Sequence, residues 1–104
     1  MESAAMWTKN KKLIELSEIL KSIGHPSRVA ILYLLCNCKD KRMTVKGIYN
    51  ELNMAQPVIS RHLGILRNCG LVKRVNEGQN IFYELCEDNE TVKHLANCFM
   101  GLKG

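Results

Sequence analysis

The stretch Gln56-Pro57-Val58-Ile59-Ser60-Arg61-His62-Leu63, running on through Leu66 to Gly70, decides how the chain is read. Ile59, Leu63 and Leu66 recur at helical spacing, which predicts an amphipathic helix that buries those three side chains. Pro57 suits the first turn, where its missing N–H has no intrahelical partner to lose, and Gly70 stands where a left-handed cap glycine belongs. The side chains left outside are Gln56, Val58, Ser60, Arg61, Gly64 and Arg67. Just upstream, Thr44 is placed to N-cap a shorter helix with Val45, Ile48 and Leu52 on its buried face, and Asn53-Met54-Ala55 breaks it. Two short helices with a tight turn between them, the second presenting small polar and basic side chains, form a helix-turn-helix of the kind that reads DNA.

The chemistry of the outward residues agrees with that use. Gln56 can make a bidentate contact to adenine and Arg61 to guanine; Ser60 can bond a base or a phosphate, and Val58 can touch a thymine methyl. Arg67 adds charge further along. His62, beside Leu63, reads either as a further DNA contact or as a packed histidine. A solvated polar face would show a similar pattern over Gln56 to Arg67. What favours DNA is charge placement: no Asp or Glu lies between Leu52 and Asn76, where Arg61, Arg67, Lys73 and Arg74 supply four positive charges.

Beyond Gly70 the period changes. Leu71 to Val75 and Ile81 to Leu85 flank a polar tip over Asn76 to Asn80, with Ile81, Tyr83 and Leu85 alternating onto one face, which predicts a β-hairpin. Arg74, Gln79 and Asn80 can reach a DNA backbone or minor groove from it. Towards the N-terminus, Leu13, Leu16, Leu20 and Ile23 form a narrow apolar seam, and Gly24 ends that helix. Pro26 opens a second helix, apolar almost all round from Val29 to Cys36, which should be central; Asn37 to Arg42 reads as a loop. A last helix starts near Asp88 or Asn89 and carries Val92, Leu95, Phe99 and Leu102. The expected fold is mainly α (α+β): a winged helix-turn-helix in one domain over residues 1–104, with one hairpin wing, terminal dimerisation helices and residues 1–12 as a flexible arm. The two terminal stripes exceed what one side of so small a core needs. Leu13, Leu16, Leu20, Val92, Leu95 and Phe99 are therefore expected at a homodimer interface, the alternative being that both stripes pack within one protomer.

Composition excludes several classes. With 104 residues, 46% hydrophobic and 24% charged, the chain suits one ordinary globular domain, and its net charge of +5 suits an acidic partner. No apolar run is long enough to cross a bilayer and Met1 to Lys12 lacks a secretory core, so no membrane partner and a cytoplasmic location are expected. Five cysteines, Cys36, Cys38, Cys69, Cys86 and Cys98, make an odd set that argues against a disulfide framework. There is no nucleophile with a recognisable base and no phosphate-cradling glycine loop, so neither catalysis nor a cofactor is expected. A winged helix that only binds protein is the remaining alternative, and it would not need the acid-free window.

Three segments taken together resemble one family. They are Gly24-His25-Pro26-Ser27-Arg28-Val29-Ala30-Ile31-Leu32, then Gln56 to Leu63 as quoted, then Leu66-Arg67-Asn68-Cys69-Gly70-Leu71-Val72, with Phe82-Tyr83 in the hairpin. In this order they are similar to the ArsR/SmtB family of bacterial repressors, from roughly Leu16 to the C-terminus. The resemblance implies a homodimeric winged helix that binds double-stranded DNA at an imperfect palindrome and leaves it when a ligand or oxidant acts. Ala55 departs from the serine-type cap usual before Gln-Pro, a loss of about 1 kcal/mol.

The resemblance also bears on sensing. Zinc-type sensors of the family carry Asp-x-His and a second histidine motif on the last helix, whereas Asp88 here precedes Asn89-Glu90 and His94 stands alone. The cysteine motif of arsenic sensors is absent from Thr44 to Asn53, so neither well-known metal site is expected. Thiol sensors of the family use one cysteine on the second and one on the last helix, at positions that fall at Tyr33 and near Leu102 here. Cys36 and Cys98 are each displaced by about one turn, and they can still meet if the two helices run antiparallel. Cys36, Cys38 and Cys98 therefore read as core residues, as a redox or persulfide sensor, or as soft-metal ligands.

Overall fold

A computed structural model describes residues 7–102. Along it run α1 (Lys11–Ile23), α2 (Pro26–Cys36), a 3-10 turn (Lys39–Lys41), β1 (Arg42–Thr44), α3 (Val45–Glu51), α4 (Gln56–Asn68), β2 (Val72–Glu77), β3 (Asn80–Leu85) and α5 (Glu90–Leu102). Residues 1–6 of the expected arm lie outside the described residues, and Lys11 and Lys12 belong to α1 instead. Asn10 sets that start, since its side-chain oxygen accepts from the N–H groups of Lys12 and Leu13.

The core is built where the apolar periodicity puts it. Ile31, Leu32 and Leu35 of α2, Ile48 of α3, and Ile59, Leu63 and Leu66 of α4 are fully buried together. Leu71, Val72 and Leu85 add the base of the hairpin, and Ile23 the end of α1. Val92 and Phe99 of α5 also lie inside this core, at 4% and 6% exposure, with the Phe99 ring edge-on to Tyr33 at 5.3 Å. They are covered by their own chain, which corrects the expectation that they face a second copy; Leu95 is half-buried. The stripe left open is Leu13, Leu16 and Leu20 on α1, with Met100 and Leu102 at the end of α5. Pro26 and Ala30 line an open apolar groove with Leu102, while Cys36 lines a small cavity with Val92 and Ala96, so α5 runs antiparallel to α2.

The sheet has three strands in the order β1-β3-β2, one more than the hairpin alone. β1 pairs antiparallel with β3, Arg42 opposite Glu84 and Thr44 opposite Phe82. Three residues are too few to show an alternating pattern, and Thr44 has a second duty: its hydroxyl accepts from Gly47 N–H at 3.0 Å and caps α3. The hairpin tip is tighter than expected. Glu77 pairs with Asn80 across a two-residue turn, and Gly78 takes the φ of +61° that such a turn requires.

Successive residues alternate across this sheet, so it has two distinct faces. Val72 and Leu85, then Arg74, Tyr83 and Met43, then Ile81 share the front, which passes from the core out to the tip. Arg42, Glu84 and Lys73, then Thr44, Phe82 and Val75, share the back.

Candidate nucleic-acid interface

α4 is placed by the turn before it and the cap after it. Asn53, at φ +52°, reverses the chain at the end of α3, and Met54 N–H reaches back to the Tyr49 carbonyl at 3.0 Å. Ala55 occupies the N-cap with no side-chain bond to offer. At the far end Gly70, at φ +76°, turns the chain into β2, and Asn89 ties α5 to this corner. Its amide donates to the Gly70 carbonyl at 3.2 Å while its oxygen caps α5 through Thr91 N–H at 2.8 Å.

So held, α4 presents Gln56, Ser60, Arg61 and Arg67 to solvent, and Val58 is half-buried. Gln56 and Ser60 form one wall of an open groove of about 450 Å³. Arg74, Gln79, Asn80 and Tyr83 of the wing form the facing wall. Lys46 and Tyr49 of α3 close its end, beside the Thr44 cap. The lining carries two cations, Lys46 and Arg74, and no carboxylate. Arg61 and Arg67 stand outside this groove on the exposed face of the same helix.

Two expectations change here. His62, expected among the DNA contacts, is 9% exposed; its Nδ1 is buried without a hydrogen-bond partner and its ring lies 4.8 Å from that of His25. Two residues past Ser60, and so about half a turn round the helix, it lies on the α2 side of α4, away from the groove. Lys73 lies on the back of the sheet, 3.3 Å from Glu84, so of the hairpin's two cations only Arg74 faces α4. Lys46 and Tyr49 were not foreseen as groove residues. The available signal was the Thr44 cap, because a residue two positions past an N-cap sits in an exposed first turn.

The candidate sensor thiols differ in exposure. Cys98 is exposed, while Cys36 is half-buried against Leu32, Leu85 and Val92. The Cys38 thiol donates to the Leu34 carbonyl at 3.0 Å, and burial, followed by the nearby Glu51 charge, raises its pKa. That makes Cys38 a poor nucleophile. No cluster of three or more metal-ligating side chains occurs among the described residues, and no helix there is long and apolar enough to cross a membrane.

The family comparison agrees with this geometry. Residues 25–74, from the α2 cap into the wing's first strand, match the family described as "Bacterial regulatory protein, arsR family". An uncharacterized HTH-type transcriptional regulator of Methanocaldococcus jannaschii is 41% identical over 78 residues, 75% of this chain and 85% of that protein. The chain belongs to the ArsR family. Its relatives are transcriptional regulators rather than enzymes. A biofilm growth-associated repressor of Agrobacterium fabrum is 36% identical over 75% of this chain. The chain spans only 64% of that relative's length. Among solved structures, HlyU of Vibrio cholerae superposes with a TM-score of 0.77 at 29% identity, over 89% of this chain and 96% of its own. The ArsR-type winged helix-turn-helix is therefore the fold of this chain.

Proposed function

We propose that this chain is a homodimeric, sequence-specific DNA-binding transcriptional repressor acting at an imperfect palindrome. The observation that carries the reading is the groove itself: Gln56 and Ser60 on one wall, Arg74 and Gln79 on the other, with cations and no carboxylate in its lining. α4 enters the major groove, Gln56 and Arg61 read base edges, Ser60 and Arg67 bond the backbone, and the wing's Arg74 and Gln79 follow the adjacent phosphates. The repressor named among its relatives supports the direction of control. Such a regulator works in the compartment that holds the DNA.

A second copy supplies the symmetry that a palindrome mirrors. What supports dimerisation is the exposed stripe of Leu13, Leu16 and Leu20, between 44% and 55% exposed, beside Leu102 at 72%. The experiment is selection of duplexes from a random pool, followed by sedimentation of the complex. Enriched inverted repeats bound by two chains support the reading. A pool without a consensus contradicts it.

Release by thiol chemistry is a second reading, favoured by the exposure of Cys98 and the antiparallel course of α2 and α5. In it an oxidant takes two electrons and two protons from Cys36 and Cys98 as the disulfide forms. Diamide treatment with peptide mapping tests it. Loss of DNA affinity that Cys98→Ser prevents supports the reading, and loss that persists in that variant removes Cys98 from it.

A further inference from the structure

We propose that Arg42, on the back of the sheet, is a positioning residue that sets the angle of the wing and so delivers Arg74 and Gln79 to DNA. The inference rests on the DNA-binding reading above and adds to it a residue that does not touch the groove.

Arg42 begins β1 and lies in register with Glu84 and, through it, Lys73. Its guanidinium does not stay in that row. It lies over the Phe82 ring, 4.4 Å from the centroid, and its Nη1 donates to the Glu77 carboxylate at 2.7 Å. Glu77 is the last residue of β2, next to the two-residue turn. The side chain thus runs from the edge strand along the back of the sheet to the tip of the wing. Glu84 lies 3.9 Å from the same Nη1 and pairs with Lys73 at 3.3 Å, so four charges and one aromatic face are joined. The hydrogen bond from Arg42 also holds the Glu77 carboxyl below its usual pKa.

The near end of this strap is firmly held. Two residues after Arg42, Thr44 caps α3, the first helix of the helix-turn-helix. A tilt of the wing relative to that unit therefore has to stretch the Arg42–Glu77 contact. Isolated surface ion pairs contribute little, but a hydrogen-bonded guanidinium stacked on a ring within a charge network is the geometry in which they do act. The front of the same strands carries Arg74 and Tyr83, and the turn carries Gln79, all lining the groove.

The test turns on a sign. Glu77 is a carboxylate near the tip, so if charge alone mattered, Glu77→Gln would tighten binding to DNA. If the strap positions the wing, Glu77→Gln weakens binding, and Arg42→Gln weakens it by a similar factor, roughly three- to tenfold, with Arg42→Lys falling between. In the background Arg74→Ala plus Gln79→Ala, which lacks the wing contacts, the same two substitutions change affinity little. Affinities are read by fluorescence anisotropy on a selected duplex, with circular dichroism confirming each fold. Tighter or unchanged binding by Glu77→Gln, or a full Arg42→Gln penalty in the wing-deficient background, overturns the proposal while leaving DNA binding intact. If Arg42→Gln fails to fold, the exposed Glu77→Gln still decides. A wild-type chain that binds no duplex defeats the DNA-binding reading itself, a distinct outcome.

Discussion

The rings of His25 and His62 lie 4.8 Å apart and tilted by 48°, joining the start of α2 to the middle of α4. His25 Nδ1 accepts from Ser27 N–H at 3.1 Å and so caps α2, whereas His62 Nδ1 is buried without a partner. Burial, then the neighbouring His25, Arg28 and Arg61, push the His62 pKa down. The helix that carries the candidate base-reading residues thus packs against the start of α2 through an imidazole whose charged form is disfavoured by burial.

Stability should therefore fall in mild acid. A group whose folded pKa is depressed below its unfolded value, here the usual 6.5, favours the folded state fully above that value. As pH drops below it, the unfolded chain takes up a proton that the folded chain resists, and stability declines until the folded pKa is passed. Urea unfolding between pH 8 and pH 5 should show this decline, and His62→Gln should flatten it. An unchanged slope in that variant would assign the pH dependence to other groups.

The caps of the two helix-turn-helix helices give opposite expectations. Thr44→Ala removes the bond to Gly47 N–H and should cost about 1 kcal/mol. Ala55, already extended at φ −64°, ψ 142°, leaves the first turn of α4 uncapped, so Ala55→Ser should stabilise by about 0.5–1 kcal/mol. Denaturant midpoints measure both. A destabilised Ala55→Ser would mean that this turn cannot admit the serine rotamer.

Phosphate contacts should appear in the salt dependence. Lys46 and Arg74 face the groove, so Lys46→Ala and Arg74→Ala should each reduce the slope of log K against log salt by about one, with similar losses on all duplexes. Lys73→Ala, on the back beside Glu84, should leave the slope nearly unchanged. A Lys73→Ala effect as large as that of Arg74→Ala would mean that the sheet meets DNA with its other face.

The parts of this fold that follow one strong period were legible in the residues. Ile59, Leu63 and Leu66 fixed the inner face of α4, and by subtraction its outer face; Gly70 and Pro26 marked helix ends because backbone sterics leave them few other places. β1 was not legible, since three residues paired with a distant strand carry no local signal. The facing of His62 was ambiguous because it lies at the edge of the buried stripe, where contact with His25 from another element decides. Val92 and Phe99 showed a correct apolar stripe, but a stripe alone does not say whether its own chain or a second copy covers it. Lys73 illustrates the same limit for charge: a cation counts towards an electrostatic footprint only once its face and its ion pair are known.

The most direct measurement compares Arg61→Ala with the wild-type chain on a selected palindromic duplex and on variants of it with single base changes. Direct readout by Arg61 predicts a loss of about 1–3 kcal/mol on the selected site and little further loss when the contacted guanine is changed. Equal affinity of the two proteins for every duplex would contradict α4 as the element that reads DNA.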